Sequence, residues 1–203
     1  MEHLKKCKLK EFVTFVPGIN QSRAASQFKS KTINFYDQDS FNQDYHYKEV
    51  NMDGDLLNES KSDDLSLDKG DVVISNSLKL ATLVSESNVN KVLSLNFTKV
   101  DFNKKELDKR YFLYLFNVFT EVQRQKESKL QGSGPILRIP IKTLEELDIP
   151  LMPMEEQEKV GKIYSEVLKL QGKLSSYSDL VEKITNSILE ESIKGAGRNE
   201  KYV

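Results

Sequence analysis

The residues able to do chemistry are few and scattered. The chain holds two histidines, His3 and His46, and one cysteine, Cys7, among 203 residues. A transition-metal site needs several His, Cys or carboxylate ligands at short, regular spacings, and neither histidine sits in such a pattern. A dinucleotide site needs three glycines that open a helix after a strand. Gly132 and Gly134 supply two, without that setting. No Gly-Lys-Ser/Thr phosphate loop is present. Glu127-Ser128-Lys129 has the Glu-x-Lys spacing of some nuclease sites, but such triplets are common where 30% of residues are charged. No methyl-donor or motor motif appears. The chain reads as a non-enzyme without catalytic, metal or cofactor residues, and its work must rest on binding.

The bulk properties narrow what it binds. A single cysteine rules out a disulfide framework and fits a reducing, cytoplasmic compartment. No apolar run approaches the roughly 18 residues of a membrane span, and Met1 is not followed by a signal-peptide pattern. The formal net charge is −1. Residues 1–153 carry 22 basic and 22 acidic side chains, and residues 154–203 carry 8 and 9. Polyanion-binding proteins usually show a basic excess, so any nucleic-acid contact must come from local patches.

The elements that would position a binding surface can be read from periodicity. Leu4, Leu9, Phe12, Val13 and Val16 suggest a short strand or helix, broken at Pro17-Gly18. Ile33–Tyr36 reads as a strand. Residues 51–71 are polar and read as a loop ending at Lys69-Gly70-Asp71. Val72–Ser75, Leu80–Val84 and Lys91–Phe97 read as short strands. Phe112, Leu115, Phe116, Phe119 and Val122 then fall on one face of a helix over 106–125. Residues 136–141 return to strand. Thr143 and Glu146 have capping-box spacing for one turn at 144–147. Ile149-Pro150-Leu151 is extended, because a residue before proline avoids the helical region.

The most informative stretch comes last. Val160, Ile163, Val167, Leu170, Leu174, Tyr177, Val181, Ile184 and Ile188 are separated by alternating gaps of 3 and 4 residues. That is a heptad repeat, which keeps one apolar seam facing a partner helix. Pro153 suits the first helical position, with Glu155 and Glu156 in the first turn. Gly195 and Gly197 are expected to stop the helix, and Gly161 and Gly172 to point away from the seam at a cost in propensity. The expected architecture is α+β: a mixed, β-rich globular domain over 1–152, a coiled-coil helix over 153–194 and a flexible tail over 195–203.

Several motifs resemble one family. Leu147-Asp148-Ile149-Pro150-Leu151-Met152-Pro153-Met154-Glu155-Glu156-Gln157 is similar to the Pro-rich junction between a target recognition domain and a conserved-region helix. That junction is found in the DNA specificity (S) subunits of Type I restriction-modification systems. Leu67-Asp68-Lys69-Gly70-Asp71-Val72-Val73-Ile74-Ser75 resembles the strand entry of that family, and Gly132 through Ile141, with Arg138, its glycine loop. The likeness spans roughly residues 8–193. A full S subunit carries two recognition domains and two helical regions, where this chain has one of each. Met152 stands where the family often has proline, and the acidic stretch Asp53–Asp64 has no counterpart.

The resemblance implies a non-catalytic subunit that reads one half of a bipartite site in double-stranded DNA. It also implies docking to methyltransferase (modification) subunits and, where present, a restriction subunit. Two copies pairing their helices antiparallel, as a homodimer, would restore a full-length equivalent. Candidate DNA contacts are Arg23, Lys29, Lys79, Lys104, Lys105, Arg124, Lys126, Lys129 and Arg138 at phosphates, with Gln131 and Ser133 reading base edges from the glycine loop. Two other readings stay open: a coiled-coil scaffold that binds no DNA, and a truncated decoy that competes for modification subunits.

Overall fold

The computed structural model describes residues 5–20, 34–46, 66–130 and 138–199. Four of the expected site residues, Arg23, Lys29, Gln131 and Ser133, lie outside the described residues, as does the polar stretch 51–65.

The chain opens with strand β1 (Lys5–Lys8), a 3-10 turn at Leu9–Glu11 and strand β2 (Val13–Pro17). After β3 (Phe35–Tyr36) comes helix α1 (Gln38–Tyr45), capped by the Asp37 carboxylate, which accepts from the Ser40 amide. Strands β4 (Val72–Ser75), β5 (Leu80–Leu83), β6 (Val92–Leu93) and β7 (Phe97–Phe102) follow. Helices α2 (Lys109–Asn117), α3 (Thr120–Ser128) and α4 (Ile141–Glu145), then strand β8 (Asp148–Leu151), lead to helix α5 (Met154–Asn199).

The centre is an antiparallel sheet ordered β2-β7-β4-β5. Every residue of β4 is buried because both of its faces are covered. Val72 and Ile74 join Val13, Phe15, Leu83 and Val100 in a large core under α2, with Phe112, Leu115 and Phe116. Val73 points the other way, into a smaller core with Tyr36, Phe41, Leu93 and Phe97. A strand buried on both sides reads as a continuous apolar run, as Val72-Val73-Ile74 does.

The strand-entry motif is explained by its geometry. Gly70 has φ 79°, in the left-handed region that glycine adopts without a Cβ penalty. The Asp71 carboxylate accepts from the Asp68 amide and lies 3.0 Å from the Lys99 ammonium. Burial works to lower the Lys99 ammonium, but the Asp71 and Asp101 carboxylates outweigh it and hold it above its ordinary value.

Several expected elements change. Lys91–Phe97 is not one strand: Phe97 donates its amide to the Ser94 carbonyl at 3.0 Å, which closes a turn between β6 and β7. The expected helix over 106–125 is two, α2 and α3, separated at Val118-Phe119, where Phe119 is extended (φ −62°, ψ 117°). The break holds because side chains of α3 replace the missing backbone donors. Gln123 Nε2 and Lys126 Nζ both donate to the Phe116 carbonyl. The one-turn helix begins at Ile141 after Pro140, not at 144, so Ile141 is helical rather than the end of a strand. Helix α5 continues through Gly195 and Gly197 to Asn199.

Candidate functional site

Two features stand out, and the sequence that builds each is different. The first is the junction and its lever. Strand β1 pairs antiparallel with β8, Lys6 opposite Pro150, which brings the start of the chain beside the start of α5. Tyr111 donates its hydroxyl to the Pro150 carbonyl at 2.9 Å. Gln157 is 1% exposed, and its amide makes three bonds. It donates to the Glu106 carbonyl at 2.9 Å and the Met152 carbonyl at 2.8 Å, and accepts from the Asp108 amide at 3.0 Å. The junction motif thus clamps the first turn of the helix to the loop that enters α2.

The clamp continues along one face. Tyr164, Ser165 and Leu168 are buried, and Gly161 and Gly172 lie beneath the domain surface. A Cβ on Gly161 would stand 2.7 Å from Arg110 Cβ and 2.7 Å from the Tyr111 amide nitrogen. A Cβ on Gly172 would stand 1.9 Å from the His46 carbonyl oxygen. These glycines do point away from the seam, as expected, but toward their own domain. They are close-approach positions, not tolerated weak spots. Asn117 completes the contact. It bonds the outer backbone edge of β5 at Ala81 in both directions, at 2.7 and 2.8 Å, and donates to the Tyr164 hydroxyl at 3.2 Å. Gln157, Gly161, Gly172 and Asn117 were not singled out from sequence as functional. Gln157 in the junction motif was the available signal.

The opposite face of α5 carries the heptad residues. Val160 is partly buried against the domain core. The other eight are exposed by 45% to 67%, with Ile163, Tyr177 and Val181 the most open. Leu180, Leu189 and Ile193 are also exposed. At 1.5 Å per residue, α5 runs about 40 Å beyond Gly172. The rod thus carries a long exposed apolar stripe.

The second feature is the end of the sheet where Pro17 pairs with Thr98 and Ser75 with Phe97. The β4–β5 turn and the β6–β7 turn meet there. The Asn76 amide donates to the Asn96 carbonyl at 3.0 Å, and Thr98 Oγ1 donates to Asn76 Oδ1 at 3.0 Å. Arg138 donates from Nη2 to Asn96 Oδ1 at 3.2 Å. Gly18 packs against the Ser94 carbonyl so closely that no Cβ would fit. Lys79 sits in the turn with φ 59°. Leu78 and Leu95 stand exposed on the two tips. The result is a rim of amide, ammonium and guanidinium groups at that end of the sheet.

The expected DNA-contact residues divide accordingly. Lys79 and Arg138 belong to this rim, and Asn96, which sequence reading missed, joins them. Lys104 and Lys105 lie past the far end of β7, about 16 Å along the strand, with the Lys104 ammonium over the Phe12 ring at 5.5 Å. Arg124 and Lys129 are exposed on and after α3. Lys126 is a correction. It is 2% exposed, and its ammonium lies 4.1 Å from the Phe116 ring centroid and donates to the Phe116 and Lys79 carbonyls. Burial pushes this ammonium down to about 8. It holds the rim turn from beneath and is not placed to meet a phosphate.

Among the described residues, no group of three His, Cys, Asp or Glu side chains could hold a metal ion. The His46 ring packs edge-on against Tyr45 at 5.4 Å. No helix among the described residues is long and apolar enough to cross a membrane.

Comparison with known proteins places this architecture. Residues 5–185 match the model for the Type I restriction modification DNA specificity domain. No curated protein sequence matches. Among solved structures, the S subunit of a Type I restriction-modification system from M. genitalium superposes with a TM-score of 0.57 at 15% identity, covering 92% of this chain and 45% of that one. The HsdS subunit from Thermoanaerobacter tengcongensis gives 0.54 at 15%, covering 94% and 44%. A structure described as showing complex assembly and conformational transition of the Type I R-M system gives 0.56 at 17%, covering 93% and 44%. The chain thus spans less than half the length of each. The family match takes in the β-rich domain, the Pro-rich junction and the helix as far as residue 185, and the chain belongs to the Type I restriction modification DNA specificity family.

Proposed function

We propose that this chain is a DNA-recognition subunit that reads one half of a bipartite target and pairs α5 with a second copy. The domain over 1–152 contacts DNA, and the helix over 153–194 acts as spacer and dimer surface. The pair then positions methyltransferase subunits and, where present, an endonuclease subunit. The observation that carries this reading is the two-faced helix. One face is clamped to its own domain by Gln157 and Gly161, while the opposite heptad face stays open. A fixed lever with an unpartnered seam suits a ruler between two recognition domains.

The rim at the sheet end is the proposed DNA surface. Arginine and asparagine there suit the hydrogen-bond patterns of base edges in the major groove, with Lys79 and Arg138 as phosphate or base contacts. Lys104, Lys105, Arg124 and Lys129 serve at most as outlying phosphate contacts. Protein two-fold symmetry is mirrored in the target, so a homodimer reads an inverted repeat with a fixed gap.

The test is methylome sequencing of cells with and without the gene, joined to a salt titration of DNA binding with and without a modification subunit. A palindromic modified motif that vanishes with the gene supports the proposal. No salt-dependent DNA binding under either condition refutes it in favour of a scaffold. Binding of a modification subunit without any sequence-specific methylation points to a decoy.

A further inference from the structure

We infer that the seam of α5 specifies one antiparallel register with a second copy, its two-fold axis passing between Ser175 and Ser176. This rests on the dimer reading above and adds the register. The open seam residues are symmetric about that point. Ile163 and Ile188 lie equally far from it, as do Val167 and Ile184, Leu170 and Val181, and Leu174 and Tyr177. In an antiparallel pair each becomes a layer: Ile163 meets Ile188 of the second copy, and so on through Leu174 and Tyr177. Every exposed core position is used and none is left over. Sliding by one heptad toward the N-terminus strands Ile188 and calls on Val160, which already packs against its own domain. Sliding the other way strands Ile163 and Val167.

The flanks agree with this register. Lys173 falls beside Leu180 of the second copy, so its methylene stem covers a leucine that is 52% exposed in the single chain. Glu166 falls beside Ser187. Lys194, near the helix end, comes level with Gln157 and Glu158 of the second copy, where Glu155 and Glu156 make the helix start acidic. A parallel pair would instead set the acidic helix starts side by side, align the two helix dipoles and stack Tyr177 on Tyr177.

The register fixes a distance. Gly161, which seats the helix on its domain, lies 14.5 residues from the axis, so the two domain seats are about 44 Å apart along the rod.

Disulfide trapping tests this directly, since the lone native cysteine, Cys7, is buried. Leu170→Cys and Val181→Cys proteins are made separately, mixed, allowed to exchange and oxidised. The expected result is a cross-linked heterodimer in the mixture and none from either protein alone, because each residue lies about 16 Å from its own mate and a disulfide spans less than about 7 Å between Cα atoms. Self-linking of Leu170→Cys alone means a parallel pair and overturns the proposal. Linking of Leu170→Cys with Leu174→Cys means the slipped register and also overturns it. A dimer by sedimentation that forms no mixed cross-link places the interface elsewhere. A monomer by sedimentation at micromolar concentration overturns the underlying dimer reading itself, an outcome distinct from the others.

Discussion

Replacing Gly161 or Gly172 by alanine should destabilise the protein, although helix propensity alone predicts the opposite sign. A glycine inside a helix costs about 1 kcal/mol relative to alanine, so an exposed Gly→Ala change in α5 would stabilise. At Gly161 the new methyl would stand 2.7 Å from Arg110 Cβ and the Tyr111 nitrogen and 2.8 Å from Asp108 Oδ1. None of these is the free end of a flexible side chain. Tyr111 N and Asp108 Oδ1 are themselves joined at 2.8 Å in the cap of α2. The helix must move outward by several tenths of an ångström, which strains the three Gln157 bonds one turn away. Overpacking of this kind costs about 1–3 kcal/mol, leaving a net loss of up to about 2 kcal/mol. For a chain of this size, that lowers Tm by up to roughly 8 °C. Gly172→Ala, whose methyl would overlap the His46 carbonyl, should behave alike. Asn186→Ala, on the exposed part of the helix, should raise Tm slightly. Calorimetry at one fixed protein concentration is the assay, since association shifts Tm by mass action. A rise in Tm for Gly161→Ala would refute the docking of α5 on α2.

Three further outcomes follow from other sites. Leu170→Asp with Leu174→Asp should separate the protomers. Four leucines per dimer, at about 1.5–3 kcal/mol each, put the loss above 10,000-fold in dissociation constant, read by sedimentation. Circular dichroism should show the N-terminal domain still folded. Lys126 gives a pH signature. The unfolded chain keeps this proton up to about 10.5 and the folded chain releases it near 8, so stability should rise with pH between those values. Relative to Lys126→Met, wild type should gain about 2 kcal/mol between pH 7 and 9.5 in urea unfolding, and a difference that stays flat refutes the buried ammonium. Arg138→Gln should lower the slope of log affinity against log salt by about 0.9 if Arg138 meets a phosphate, and an unchanged slope removes it from the phosphate contacts.

What could be read from sequence follows a physical divide. The heptad seam was legible because its pattern repeats on one element and needs no knowledge of what lies opposite. Strand β4 was legible because burial on both faces leaves an unbroken apolar run. The other face of α5 was not. Gly161, Ser165 and Gly172 look like weak helix formers until α2 and His46 are placed against them. The break between α2 and α3 was hidden for the same reason. Phe112 to Val122 keep a helical period across it, and only the donors from Gln123 and Lys126 show how the chain stops and restarts. Lys126 was read as a surface charge because lysine is almost never buried unless paired. Its partners are two backbone carbonyls, which leave no trace in a sequence.

The even charge of residues 1–153 looked like the main objection to a DNA-binding domain, and the structure shows how that balance is spent. At the β1–β8 edge, Lys6 pairs with Glu121, Lys8 with Asp148 and Lys10 with Glu146. Elsewhere Lys69 meets Glu86, and Lys99 meets Asp71. Such pairs cancel locally and project little field beyond roughly 10 Å in salt. At the sheet-end rim, neither Lys79 nor Arg138 has a carboxylate within 4.0 Å among the described residues. The acids of the first three pairs sit on the β1–β8 flank, away from the surface proposed to meet DNA. A total of zero built in this way does not count against that surface. Lys79 and Arg138, without such partners among the described residues, share the end of the sheet with Asn96.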